Sequence, residues 1–295
     1  MPDPIAFDFR VAGKRHFATP VGGSEFYLGR ETKYGARIGL GRGVAEYWGL
    51  RFRAADYPAI GHWGELLELT GHCESANNFN CINSYDRAAF TFGFYQLAAH
   101  TPDDNLLLLL RRAAALPEAA VYLPGLFLQG GSLRWRDASG EITDLEATGM
   151  IGGERQNIAL MRHLNPDPDA VGEAERSYAA RLTHWSAQSA AFRQVQVDVA
   201  FAILAKKMRV YDARYGLDGK SDTLCAVIAD IHHQGRAKVS AVRKALAAPT
   251  PEEALILVNP NETGRIANLR AKLAEMEAAG RLGQLRYVAA SNTFA

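Results

Sequence analysis

The chain lacks any apolar run long enough to cross a bilayer. Its most hydrophobic stretch, LLLLL at 106–110, is closed at once by Arg111 and Arg112, far short of the roughly 20 apolar residues that a spanning helix needs. It predicts a buried helix instead. Cysteine is scarce: Cys73, Cys81 and Cys225 are an odd number with no CxxC spacing, which argues against a disulfide framework and against a zinc site. Buried thiols in a reducing compartment are preferred over a single Cys73–Cys81 bridge. Charge of one sign is also missing. A net charge of +1 supplies no global attraction to nucleic acid or to an anionic membrane, and nucleic acid is not expected as a partner. The opening MPDPIAFDFRVAGKRHF has neither a basic n-region nor an apolar h-region; the expectation is a protein cytoplasmic as synthesised, reaching any cell-wall target by another route. No GxSxG or HExxH occurs. The GxGxG at 39–43 lacks a strand–helix context with a following acidic residue, so nucleotide binding is not expected.

What is present reads as mainly α with a small β-sheet, an α+β chain. Residues 5–42 alternate in EFYLGR and ARIGLG, predicting short strands or an irregular arm. Ile60, Trp63, Leu66, Leu67 and Thr70 recur at helical spacing, so a helix is expected from Pro58 to Cys73, with Glu74 at or just beyond its end. Residues 75–100 read as loop and short strands, with Phe90, Phe92 and Phe94 alternating against Thr91, Gly93 and Tyr95. A helix from Pro102 to Leu116 follows. The segment LFLQGGSLRWRDASGEITDLEA carries turn signals at GG and DASGE and predicts an inserted β-hairpin. Helices are expected at 154–163, 170–185, 189–215, 221–233, 237–247, after Pro251 and near 265–281, the long one with Phe192, Gln196, Val199 and Ile203 on one stripe.

The stretch ELTGHCESANNFNCINSYDRAAFTFGFYQLAAH, residues 68–100, concentrates polar groups beside a Gly-punctuated aromatic run. Glu74 and Asp86 suit the two carboxylates that glycoside hydrolysis requires, one to protonate the leaving oxygen and one to activate water. The acid is expected on a partly apolar wall and the base in a solvated loop. A surface glutamate and an Asx-rich turn would account for the same residues without catalysis.

This stretch resembles the catalytic segment of lysozyme-superfamily glycosidases, most closely the bacterial family 46 chitosanases. There the acid closes a long helix and an aspartate precedes a G-[YF]-T-x-G segment; the matching residues here are Glu74-Ser75-Ala76, Asp86 and Phe90-Thr91-Phe92-Gly93. The resemblance implies a two-lobed lysozyme-like fold with the hairpin inserted. It makes Glu74 the general acid, Asp86 the general base and Thr91 a holder of the attacking water, with Tyr85, Arg87, Gln96, Asn78 and Arg193 supporting the site or the substrate. AAFRQVQ at 190–196 is similar to the chitosanases' later helix, which would make Arg193 an orienter of a carboxylate; a snorkelling surface arginine is the alternative. Asp230, His232 and His233 are read as structural. The loop from Glu74 to Asp86 is shorter than the chitosanase pattern, and Gly93 to Gln96 also echoes goose-type lysozymes. The expected organisation is an arm at 1–57, a catalytic domain at 58–248 and a helical extension at 249–295. The expected activity is cleavage of β-1,4 links in an amino-sugar polymer, without metal or organic cofactor. A non-catalytic carbohydrate-binding protein on the same fold is the alternative.

Overall fold

A computed structural model describes residues 3–295, so the first two positions of the expected arm and of the opening segment lie outside it. Along the chain come β1 (Phe7–Ala12), β2 (Arg15–Pro20), β3 (Phe26–Tyr34), β4 (Arg37–Gly41), α1 (Trp63–Ser75), β5 (Ile82–Asn83), β6 (Thr91–Phe92) and β7 (Leu97–Ala98). Then follow α2 (Asn105–Ala113), α3 (Ala119–Tyr122), β8 (Leu126–Gln129), β9 (Ser132–Arg136), β10 (Ile142–Asp144), β11 (Gly149–Ile151) and β12 (Glu154–Gln156). The remainder is α4 (Ile158–Leu164), α5 (Glu173–Gln188), α6 (Ala190–Tyr215), α7 (Asp222–Gln234), α8 (Val239–Leu246), α9 (Pro251–Ile256), α10 (Thr263–Ala278), β13 (Tyr287–Val288) and β14 (Thr293–Phe294). The chain is α+β, and among the described residues no helix is long and apolar enough to cross a membrane.

Two compact units form. One takes residues up to Arg51 with Asn78–Val199; the other takes Phe52–Asn77 with Ala200–Ala295. These junctions do not fall at 57/58 or 248/249. In the first unit, the segment read as an arm is the larger part of an antiparallel sheet of order β1-β2-β3-β4-β5-β6-β7. The sheet is therefore larger than expected, because β4 pairs with β5 through Gly41 and Asn83. The two glycines of β4 explain the join. A Cβ on Gly39 would stand 2.5 Å from the Ser84 backbone, and one on Gly41 would stand 2.6 Å from the Tyr85 ring. The GxGxG run thus admits a neighbouring backbone and not a phosphate.

The inserted hairpin is present and gains a third strand, in the order β10-β9-β8, turning at Gly130 and Gly131 with φ of 60° and 83° as a tight hairpin requires. One expectation fails at 154–163: Glu154–Gln156 pair with β11, and the helix starts only at Ile158, where Asn157 accepts from the Leu160 amide. The alternation of Phe90 to Tyr95 also misleads. The strand is only Thr91–Phe92, Gly93 turns the chain at φ 88°, and Phe90, Phe92, Phe94 and Tyr95 are all buried. Trp185 stacks on Phe192 at 4.2 Å and on Tyr122 at 5.0 Å, anchoring this core.

The second unit is helical. α1 packs with α7 and α10, burying Trp63, Leu66, Leu67 and Leu69, which at roughly 25 cal/mol per Å² of apolar surface is its main stabilising term. Asp222 ties the carboxyl-terminal turn to α7: it accepts from the Gly283 amide at 2.8 Å and faces His62 Nε2 at 2.8 Å. These bonds outweigh burial and hold its carboxyl below the ordinary value. All three cysteines are free, with no Cys73–Cys81 bridge.

Candidate functional site

Glu74 occupies the last turn of α1, one residue inside the position expected. The helix is closed by two left-handed residues, Ala76 at φ 50° and Asn77 at φ 63°. Asn77 makes this possible: its amide donates to Gly71 O at 3.0 Å, and its side chain donates to Glu68 O at 3.1 Å. The helix end, and the carboxylate on it, is thereby fixed by its own loop.

The surroundings of Glu74 differ from the apolar wall expected. Its side chain is 16% exposed, and Oε1 lies 2.8 Å from Arg265 Nη2. That guanidinium, 7% exposed, directs its hydrogen bond to Asp230 Oδ1 at 2.6 Å. Glu74 Oε1 therefore has an ion-pair partner by distance but no aligned hydrogen bond among the described residues. Asp230 is fully buried and also takes a bond from Arg236 Nη2 at 2.8 Å. Burial pulls the Arg265 guanidinium down, while the charges of Glu74 and Asp230 more than reverse this and hold it above the usual arginine value. Cys73, beside it, is raised to about 12 by burial and by Asp230, so it stays a thiol.

Asp86 belongs to the first unit and is held by neutral, local bonds. Oδ1 accepts from the Ala88 amide at 2.8 Å and Oδ2 from Asn83 Nδ2 at 3.2 Å, in an Asx-type turn. Asn83 is also the strand partner of Thr91, so one residue links Asp86 to Thr91. Thr91 is itself buried. Tyr85 is raised by burial and by the Asp86 charge, and its amide donates to Asn83 Oδ1 at 3.3 Å. Arg87 is exposed and pairs with Glu154 at 3.4 Å.

The other expected site residues are absorbed by the scaffold. Asn78 is fully buried and donates to Trp48 O at 2.7 Å. Gln96, at φ 48°, closes its own turn by donating to Gly93 O at 2.9 Å. Arg193 pairs with no carboxylate among the described residues and does not snorkel. Its Nη1 donates to Ser186 O at 2.7 Å and Ala187 O at 3.2 Å, satisfying the open carbonyls at the end of α5. His232 stacks on Tyr211 at 4.7 Å, a structural role as expected, whereas Asp230 joins the Glu74 cluster.

Two residues of consequence went unread in the sequence. Arg265 sits in a charged helix, yet it shares the buried stripe of Leu269, Lys272 and Met276 at helical spacing, the one signal that it points inward. Glu175, fully buried on α5, accepts from the Leu40 amide at 2.8 Å and from the Ser84 hydroxyl. Burial raises its carboxyl to about 7 against the pull of those bonds. It pins β4 to the residue that precedes Tyr85 and Asp86. No family model matches the chain, and neither the curated proteins nor the solved structures yield a match.

Proposed function

We propose that the protein is a lysozyme-like glycoside hydrolase that cleaves β-1,4 links of an amino-sugar polymer with inversion. Glu74 gives its proton to the glycosidic oxygen as the bond to C1 breaks. Asp86 takes a proton from the water that attacks C1 from the opposite face, and Thr91 helps to orient that water. The observation that carries the reading is Glu74 itself. It is a partly exposed carboxylate, anchored through its buried Oε1 beside Arg265, on a helix end locked by Asn77, over a buried Arg265–Asp230–Arg236 network. Buried ion networks contribute little net stability, and a network that positions one accessible carboxylate fits a preorganised acid.

The test is turnover on peptidoglycan, chitosan and chitin. The wild-type chain should degrade one of them, and Glu74→Gln should lower turnover at least ~100-fold, the scale of a general-acid contribution. Proton NMR of the first products should show the α-anomer, and Thr91→Ala should cost less than Asp86→Asn. Early β-anomer or a 1,6-anhydro sugar would remove Asp86 from the role of base. A chain that binds these polymers and cleaves none would be a carbohydrate-binding protein.

A further inference from the structure

The first unit carries a second feature in its amino-terminal strands, remote in sequence from Asp86. An open groove of about 750 Å³ is lined among others by Ser24, Phe26, Tyr27, Trp48, His184 and Gln188, a size in the range of small-ligand sites. Its four rings are half-buried. Phe26 meets Trp48 at 5.4 Å with planes tilted by 55°, and His184 at 6.0 Å. The inner polar atoms are already engaged. Trp48 Nε1 donates to Tyr27 O at 2.9 Å, and His184 Nδ1 shares a hydrogen bond of 2.9 Å with the Tyr122 hydroxyl. Burial holds the His184 imidazole below its ordinary value and raises the Tyr122 phenol to about 12. A neutral imidazole accepting from that phenol keeps its own proton on Nε2, which has no partner among the described residues. The groove therefore offers aromatic walls with a rim of uncharged donors and acceptors, Ser24, Gln188 and His184; the one carboxylate in its lining, Glu25, is neutralised by a two-bond pair with Arg10 at 2.6 and 2.8 Å.

Ring faces beside neutral hydrogen-bonding groups match a pyranose, whose C–H face is apolar and whose edge is hydroxylated. The charge behind the wall narrows the choice. The Arg42 guanidinium lies 5.8 Å from the Trp48 ring. It is buried, and its hydrogen bonds go only to neutral oxygens, those of Leu28, Asn80 and Thr183. Burial pushes it down to about 10, still a cation at neutral pH. A cation already behind the ring opposes an ammonium group on its front, because a ring quadrupole attracts one cation and two repel each other. We propose that this groove is a carbohydrate-binding site for an uncharged, N-acetylated hexosamine unit of an oligosaccharide, and that it discriminates against the deacetylated, cationic sugar. The site stands whether or not Glu74 is catalytic.

The experiment is calorimetric titration of the full chain, in the Glu74→Gln form so that nothing is cleaved, with tetramers of N-acetylglucosamine and of glucosamine. The acetylated tetramer should bind at least ~10-fold more tightly. Its amide shifts in NMR should cluster at residues 24–27, 48 and 184–188. Trp48→Ala should weaken binding by at least ~10-fold, and Trp48→Phe, which keeps a ring, should weaken it less. Should Trp48→Ala fail to fold, the shift map of the parent chain and the Trp48→Phe titration carry the test. Equal or tighter binding of the glucosamine tetramer, shifts confined to other residues, unaltered binding by a folded Trp48→Ala chain, or no binding of either sugar would each overturn the proposal.

Discussion

Glu74 and Asp86 lie twelve positions apart in the chain and are held in opposite ways. Glu74 is held by charge from far away: Arg265 comes from α10, and the Asp230 that shares it comes from α7. Asp86 is held by its neighbours, through the Ala88 amide and Asn83. Long-range charged anchors are stiff and costly to disturb, because removing one member strands a buried charge. Local neutral anchors are cheap to form and cheap to lose. A carboxylate of the first kind is fixed by the whole unit, whereas one of the second kind depends on one turn keeping its shape.

The sharpest way to break this contrast is to remove one anchor of each kind. Arg265→Ala leaves Asp230 fully buried with only Arg236 and removes the cation beside Glu74. It should destabilise the chain by about 3–5 kcal/mol, the scale of a broken buried pair. Asn83→Ala, which removes one bond to Asp86 while the Ala88 amide remains, should cost about 1 kcal/mol. Urea denaturation of both variants checks this. Equal losses would show that the charged cluster is no more than an ordinary set of surface pairs.

A second way uses pH, because the turn before Asp86 has its own buried acid. Burial raises Glu175 to about 7 from 4.5. Below about pH 4.5 the carboxyl is protonated in both folded and unfolded chains, and the group adds no pH dependence. Between pH 4.5 and 7 the unfolded chain releases the proton while the folded chain keeps it, so stability falls as pH rises. Above 7 the loss levels off, at about 3 kcal/mol for the full shift. Glu175→Gln keeps an acceptor for the Leu40 amide and Ser84 hydroxyl and should flatten that part of the profile. Melting temperature against pH for both chains is the measurement; parallel profiles would mean that Glu175 titrates as an ordinary carboxylate.

The same contrast explains what was legible in the sequence. Features encoded within a few residues were readable: the end of α1 at Glu74, the Gly130-Gly131 hairpin, and the Phe192, Gln196, Val199 and Ile203 stripe, all buried on α6. The helices from 170 onward were placed within a few residues by their apolar spacing. The turn that holds Asp86 was readable as an Asx-rich loop. What escaped were the pairings over long sequence separation. Arg265 with Glu74, Glu175 with Ser84, and the joining of β4 to β5 have no local pattern, since an arginine facing water and an arginine facing a buried aspartate are spelled alike. The strand Glu154–Gln156 was lost for a different reason: its partner β11 lies directly before it across the turn at Gly152 and Gly153, a local signal that went unread.

The smallest effect separates the arginine that was expected to matter from the one that does. Arg193 donates to the last carbonyls of α5, Ser186 O and Ala187 O, and touches no carboxylate. A cation at a helix carboxyl terminus is favourable both through its hydrogen bonds and through the helix dipole. The side chain is not the sole hold on the final turn, since Ser189 N also bonds to Trp185 O at 2.8 Å and caps it. Arg193→Ala should therefore cost about 1 kcal/mol, well below the loss from Arg265→Ala. Arg193→Lys should recover part of it, because an ammonium still donates and still carries the charge. Turnover at a temperature where both chains are fully folded should stay within about twofold of wild type, as expected for a group whose hydrogen bonds go to backbone carbonyls and not to a site carboxylate. A large fall in turnover at unchanged stability would return Arg193 to the orienting role read from its sequence.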